Sequence, residues 1–289
     1  MNIIYLNGEE IFNRKIISVY NSSFLYGINC FEGIRGYLSE DRIIFLDLES
    51  HLNRFYLSLQ RIKIDIKFSK NWIKSHLEEI IEKKNIKENI YIRITAFIDG
   101  ENSWTSTNMG SIIISLRSIE TSLKNPFENR FKSIGISNFK RISENSTPPS
   151  IKAGANYINS RYAFLEVRNR GFDYPLFLTN DGFLSESGGS CIFFIIDNEL
   201  FTPSLDMDIL NSITRKRIIK ICLKNKINVV EGGFETSILE KVDAAFLAGT
   251  MIEICPIGQI ENFKLNTNQN LLYKKILNNF SQSIFEHKN

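Results

Sequence analysis

The sequence predicts a mixed α/β fold in two domains. Three observations carry this: strand-like runs alternate with helical periodicities along the chain, 289 residues exceed what one hydrophobic core usually organises, and a polar, proline-containing stretch at 121–129 separates two such series. The expected boundaries are a smaller N-terminal α/β domain over 1–120, an interdomain linker over 121–129 and a larger C-terminal domain over 130–289.

Composition narrows the function classes. With 43% hydrophobic and 23% charged residues the chain reads as an ordinary globular protein. A net charge of +3, from 35 basic against 32 acidic residues with no long basic run, is too small to call for nucleic acid or a membrane surface, yet enough for a phosphate-bearing small molecule. Cys30, Cys191, Cys222 and Cys255 form no C-x-x-C pair, and His51, His76 and His287 lie far apart without metal-ligand spacing. Residues 1–9 lack a signal-peptide pattern, and no apolar run approaches membrane-spanning length, so a reducing cytoplasm is the expected compartment.

In the first half, residues 3–6 with Asn7-Gly8 read as a strand and hairpin turn returning through 15–19, and 34–38 with 43–46 read as a second hairpin. The stretch from Phe24 to Tyr37, with Tyr26-Gly27 and Phe31-Glu32-Gly33-Ile34-Arg35, reads as a turn with a glycine bulge. Asp47 is placed to cap a helix whose Leu48, Leu52, Phe55, Leu59 and Ile62 make one apolar face, with Arg54 beside it. Ser69 caps the next helix, which turns Trp72, Ile73, Leu77, Ile80 and Ile81 inward. In the strand over 91–98, Ile92, Ile94, Ala96 and Ile98 share one face, while Tyr91, Arg93, Thr95 and Phe97 share the other. An arginine there suits either a buried carboxylate of the protein or one on a ligand. A further strand is expected over 112–116.

The second half centres on Lys152, held between Pro148-Pro149 and the small residues Ala153-Gly154-Ala155. A helix then runs over 156–170 to Gly171, with Tyr157 in its first turn. Strands over 175–179 and 183–184 flank the Asn180-Asp181-Gly182 turn, and Glu186 lies among small residues before the apolar run 192–196. Leu210-Asn211-Ser212-Ile213-Thr214-Arg215 opens another helix, whose first N–H groups form an anion site, though capping alone accounts for Asn211 and Ser212. A buried strand over 244–248 ends in the Gly249-Thr250 turn, and Leu272, Ile276, Phe280 and Ile284 make the packing face of a final helix.

An amine, a carboxylate, a tyrosine and several anion-binding turns are the components that pyridoxal phosphate requires. At this point the sequence resembles the class IV pyridoxal-phosphate-dependent aminotransferases, most closely the branched-chain amino-acid aminotransferases. The resemblance spans nearly the whole chain in order: Tyr26-Gly27, Phe31 to Arg35, His51 to Arg54, Tyr91-Ile92-Arg93, Lys152-Ala153-Gly154 with Asn156-Tyr157, Ser185-Glu186, Ile213-Thr214-Arg215 and Gly249-Thr250. Each motif is short; the order is specific.

The resemblance implies a fold-type IV enzyme, with a pseudo-barrel sheet in the larger domain, and typically a homodimer with sites near domain and subunit boundaries. It implies that Lys152 is the Schiff-base lysine and proton shuttle, Glu186 the partner of the pyridine nitrogen and Tyr157 a donor to the phenolic oxygen. Arg54, Leu210, Ile213, Thr214, Gly249 and Thr250 complete the cofactor set, while Tyr26, Phe31, Tyr91, Arg93, Thr250 and Met251 face the substrate. The reaction implied moves an amino group between an L-amino acid and a 2-oxo acid such as 2-oxoglutarate. Alternatives within the class are a D-amino-acid aminotransferase or an aminodeoxychorismate-type lyase; a pyridoxal-phosphate-binding protein without turnover is a third. Arg93 and the Phe-Glu-Gly-Ile-Arg stretch favour the first reading. Departures from the family pattern are Asn211-Ser212 before Ile213, Cys191, the bulky Met251-Ile252 pair and the loop 101–108 with Trp104. They are expected to alter the substrate walls, so that the preferred substrate need not be leucine, isoleucine or valine.

Overall fold

The computed structural model describes residues 2–11, 18, 20–98, 103–124 and 131–285. The chain divides into a first unit, residues 1–120 with 151–155, and a second, residues 121–150 with 156–289.

The first unit contains β1 (Asn2–Leu6), β2 (Glu9–Glu10), α1 (Ser22–Tyr26), β3 (Asn29–Ser39), β4 (Arg42–Phe45), α2 (Leu48–Arg61), α3 (Lys70–Lys83), β5 (Ile90–Ile98) and β6 (Gly110–Ser118). Its strands form one sheet in the order β2-β1-β6-β5-β3-β4, every named pair antiparallel. Alternation decides what each face carries. Cys30, Ile34, Ile92, Ile94, Ala96, Ile112, Ile114 and Leu116 join the apolar stripes of α2 and α3 in one buried cluster.

Several local expectations change. The partner of β1 starts at once with β2, and the returning strand expected over 15–19 lies, apart from Ser18, outside the described residues. The Phe31 to Arg35 stretch is no bulged turn: β3 runs through it in unbroken register with β5, from Asn29 opposite Phe97 to Gly36 opposite Ile90. Asp47 stands before α2 in a left-handed conformation (φ 52°) and its side chain makes no capping bond, whereas Ser69 accepts the Trp72 N–H at 3.1 Å as expected.

The second unit contains β7 (Lys132–Ile136), α4 (Tyr157–Asn169), β8 (Tyr174–Leu178), β9 (Leu184–Ser187), β10 (Cys191–Ile196), β11 (Glu199–Pro203), α5 (Ile213–Lys224), β12 (Val229–Gly232), β13 (Ala244–Gly249), β14 (Glu253–Ile260), β15 (Phe263–Lys264) and α6 (Leu271–Phe285). Its nine-stranded sheet has the order β12-β11-β10-β13-β14-β7-β8-β9, with β15 paired to β14. It is mixed: β7 is parallel to β8 and β14, and β11 to β12, while the remaining pairs are antiparallel. Leu176 and Leu184, from one end of the strand order, share a buried cluster with Ile192 and Phe194 from its middle, so the sheet curls around that core. On the opposite face Phe193 stacks on Phe246, which meets Tyr273 of α6. Of the expected linker, Thr121 and Ser122 bond to the buried Glu253 carboxylate at 2.6–2.8 Å, and 125–129 lie outside the described residues.

Candidate active site

In the first unit Lys152 belongs to a short segment that runs along the edge of β3 beyond the reach of β4. Phe31 N–H donates to Lys152 O and Gly154 N–H to Asn29 O, each at 3.0 Å, and Cys30 pairs antiparallel with Ala153. This register sends Ile151 and Ala153 toward the core with Cys30 and leaves Lys152 on the other face, beside Phe31. Lys152 Nζ lies 4.8 Å from the centre of the Phe31 ring, and Arg93 Cζ lies 3.6 Å from the same ring. Arg93 Nε also donates to Thr95 Oγ1 at 3.3 Å. Lys152, Phe31 and Arg93 are therefore brought together on one face of the sheet.

Two glycines make that packing possible. A Cβ at Gly33 would lie 2.9 Å from the Tyr91 ring, whose hydroxyl crosses the strand there, and one at Gly154 would meet the Asn29 side-chain amide. Tyr91 thus joins the Lys152 face because position 33 carries no side chain. Tyr26, the last residue of α1, is 50% exposed, and Trp104 in the loop is also exposed; Glu101 and Asn102 lie outside the described residues.

Arg54 is engaged differently. Its Nε donates to Glu32 Oε1 at 2.6 Å and its NH2 to Glu32 Oε2 at 2.9 Å, while His51 Nδ1 lies 2.8 Å from Oε2. Glu32 is fully buried. Burial opposes its charge, but the Arg54 guanidinium and the His51 hydrogen bond outweigh that and hold its pKa down to about 2. One turn along α2, Ser58 Oγ accepts the Lys152 N–H at 3.2 Å, so one stripe of α2 meets both Glu32 and the Lys152 segment.

In the second unit Glu186 sits on β9, whose four residues are all buried, not in an open turn. Its Oε1 accepts from Arg141 NH2 at 2.7 Å and from the Leu210 N–H at 3.1 Å. Arg141, itself buried, also donates to Asp208 O and to Asn159 Oδ1, each at 3.4 Å. Tyr157 is the first residue of α4.

The start of α5 is built by Ser212, whose Oγ accepts the Arg215 N–H at 3.2 Å while its carbonyl takes that of Lys216. The N–H groups of Ile213 and Thr214 precede the intrahelical ladder and are the donors an anion would meet. Arg215 fastens this end of the helix by donating to Pro203 O at 2.7 Å and Glu231 Oε2 at 2.6 Å.

Cys191 pairs with Ala248, next to Gly249. A Cβ at Gly249 would touch Gly189 O and Ser190 Cβ at 3.5 Å, which puts the 188–190 and 249–252 turns side by side. Cys191 is buried, donates to Ala248 O at 3.0 Å and lies 3.9 Å from Ser212 Oγ. Burial pushes its thiol up to about 12. Two of the departures from the family pattern, Cys191 and Ser212, therefore pack against each other. Ile252 packs against the core and Met251, 42% exposed, is the open member of its pair.

Three charged residues that hold this arrangement carry no role in the sequence reading: Glu32, Arg141 and Arg215. Glu32 had a signal, because it shares the apolar alternation of Cys30 and Ile34. Arg215 had a weaker one, on the inward side of α5 with Ile218 and Cys222. Arg141 had none.

A family model described as Amino-transferase class IV matches residues 29–260. The probable branched-chain-amino-acid aminotransferase of Aquifex aeolicus is 30% identical over 275 residues, which cover 93% of this chain and 88% of the relative. The branched-chain-amino-acid aminotransferase of Escherichia coli strain K12 is 27% identical, over 91% and 86% of the two chains. Among solved structures, the branched-chain aminotransferase of Thermoproteus uzoniensis with norvaline aligns with a TM-score of 0.90 at 26% identity, covering 99% of this chain and 96% of that one. The branched-chain amino acid aminotransferase of Thermobaculum terrenum in its PLP form aligns with a TM-score of 0.90 at 27% identity, covering 98% and 94%. The fold is thus the fold-type IV architecture expected from the resemblance, and by the extent of these matches the chain belongs to the class IV aminotransferase family.

Proposed function

We propose that this aminotransferase uses pyridoxal 5'-phosphate to move an amino group between an L-amino acid, branched-chain or related, and a 2-oxo acid such as 2-oxoglutarate. The observation that carries the reading is Lys152, an amine held by backbone bonds to β3 on the face it shares with Phe31 and Arg93. The activity for which those relatives are named, and the PLP form of the Thermobaculum terrenum enzyme, support both cofactor and reaction.

The donor chemistry of the chain fits that cofactor. Lys152 supplies an amine for its aldehyde, Glu186 a carboxylate oriented by Arg141 for its pyridine nitrogen, and Tyr157 a hydroxyl for its phenolic oxygen. Arg54, the Ile213 and Thr214 N–H groups and Thr250 would hold the phosphate, with Leu210 fixing Glu186 and Gly249 allowing the backbone to approach. When bound, the pyridoxal ring supplies an electron sink for the carbon that loses its proton. Lys152 Nζ would move that proton between the substrate Cα and the cofactor's C4′ carbon, two bonds apart, a transfer that its backbone tether to β3 favours. Tyr26, Tyr91, Phe31, Arg93, Thr250 and Met251 are the proposed substrate contacts, Arg93 supplying the cation for a carboxylate. A cytoplasmic homodimer belongs to the same proposal. Among the described residues no helix is long and apolar enough to cross a membrane.

The test is to purify the protein, follow its absorbance, and assay a panel of amino donors against 2-oxo acceptors. The expected result is a yellow protein whose spectrum shifts with glutamate and with at least one apolar amino acid. Borohydride should fix the cofactor to Lys152 and should fail in Lys152→Ala. A protein that takes up no pyridoxal phosphate, or one fixed at another residue, overturns the assignment; the panel itself identifies the donor.

A further inference from the structure

Consecutive residues of β3 serve the two cofactor anchors proposed in the first unit. The Phe31 N–H holds the carbonyl of Lys152, and the Glu32 side chain holds Arg54 through two of its three nitrogens at 2.6 and 2.9 Å. Both contacts are buried against α2, where Ser58, four residues after Arg54, takes the Lys152 N–H. A guanidinium is planar, so gripping it at Nε and NH2 fixes the direction of its third nitrogen. His51 Nδ1, 2.8 Å from Oε2, fixes the carboxylate in turn. Glu32 lies on the apolar face of the strand between Cys30 and Ile34, and a buried ion pair of this kind is a poor source of stability compared with apolar packing. What the arrangement does supply is geometry: the strand register that places the amine also sets the guanidinium.

We infer that Glu32 is a positioning residue that orients Arg54 as a ligand for the cofactor's phosphate. The inference rests on the proposed function, in which Arg54 is that ligand. Glu32 touches neither cofactor nor substrate in this role; it acts through Arg54, and its removal leaves a charged side chain free to turn away.

The discriminating measurement compares pyridoxal phosphate with pyridoxal, which has the same ring and aldehyde but no phosphate. Each is titrated into the full chain and read by the absorbance of the lysine-bound chromophore, for the wild type, Arg54→Ala, Glu32→Gln and Glu32→Asp. The expected result is that Glu32→Gln weakens pyridoxal phosphate by roughly tenfold or more, the size of a lost charge-assisted hydrogen bond, while pyridoxal changes little. Glu32→Asp keeps the charge on a shorter arm and should lose the same preference in part; it is the informative variant if Glu32→Gln does not fold. The double change with Arg54→Ala should cost no more phosphate preference than Arg54→Ala alone. If Arg54→Ala loses the preference and the folded Glu32 variants keep it, the positioning role is wrong while the site stands. If Arg54→Ala keeps it, the placement of Arg54 at the phosphate fails and the inference falls with it.

Discussion

Glu32 shows how one residue can be legible in type and hidden in purpose. Its place between Cys30 and Ile34 puts a carboxylate on the face that buries Ile92 and Ile94, and a charge there needs partners. Which partners supply it is not a local property: Arg54 and His51 come from α2, about twenty residues away in the chain. Arg141 is the opposite case, because nothing near it in sequence marks it for Glu186. The Glu32 pair has a measurable pH signature. Its carboxyl titrates at about 2 in the folded chain against an ordinary 4.5. A depressed folded value adds stability that is complete above the unfolded pKa and disappears as the pH falls toward the folded one. Relative to the protonated carboxyl, the ionised form contributes on the order of 3 kcal/mol. Thermal melts should therefore show the wild type well above Glu32→Gln at pH 6, with the gap narrowing between about pH 4.5 and 2. A gap that stays constant down to pH 2 would mean that the ionised carboxylate is not what stabilises this face.

At the scale of elements, most strands and helices follow from alternation and periodicity, because a half-buried surface leaves its period in the sequence. The exceptions have local causes. β3 extends back through Gly33 because that glycine clears the Tyr91 ring, so a residue that reads as a bulge serves an uninterrupted strand. Glu186 reads as a turn residue because its neighbours are small, yet those neighbours, Ser185 and Ser187, are buried within β9. The start of α5 is the element most exposed to test. Ser212 meets the Arg215 N–H and sets the first turn whose free N–H groups are proposed to face the phosphate. Replacing a serine cap by alanine typically costs about 1 kcal/mol, and by glycine only a few tenths. Ser212→Ala should thus lower the melting temperature measurably, while Ser212→Gly should lie near the wild type. Equal losses in the two variants would indicate that the Cys191 contact, 3.9 Å away, matters more than the cap.

On the scale of the whole molecule, the excursion of the chain at 151–155 was not readable in the sequence. The chain leaves the first unit after Glu120 and comes back to it for five residues that contain Lys152. Local pattern carries no trace of this, since a strand edge is completed by whichever segment arrives, and the signal lies in pairing between residues more than a hundred apart. The consequence is that a chain ending at Glu120 should not behave as an independent domain. It would leave the Asn29 carbonyl and the Phe31 N–H unpaired on the edge of β3, and would strip Ile151 and Ala153 from the cluster that buries Cys30. An unpaired edge beside exposed apolar surface is a template for association. Residues 1–120 alone should therefore self-associate in light scattering, with rapid amide exchange at Phe31. Joining residues 150–156 to their C-terminus through a flexible glycine-serine linker should restore a discrete species and slow that exchange. If the shorter piece is already discrete and protected at Phe31, the lysine segment is an appendage to the sheet and does not complete its edge.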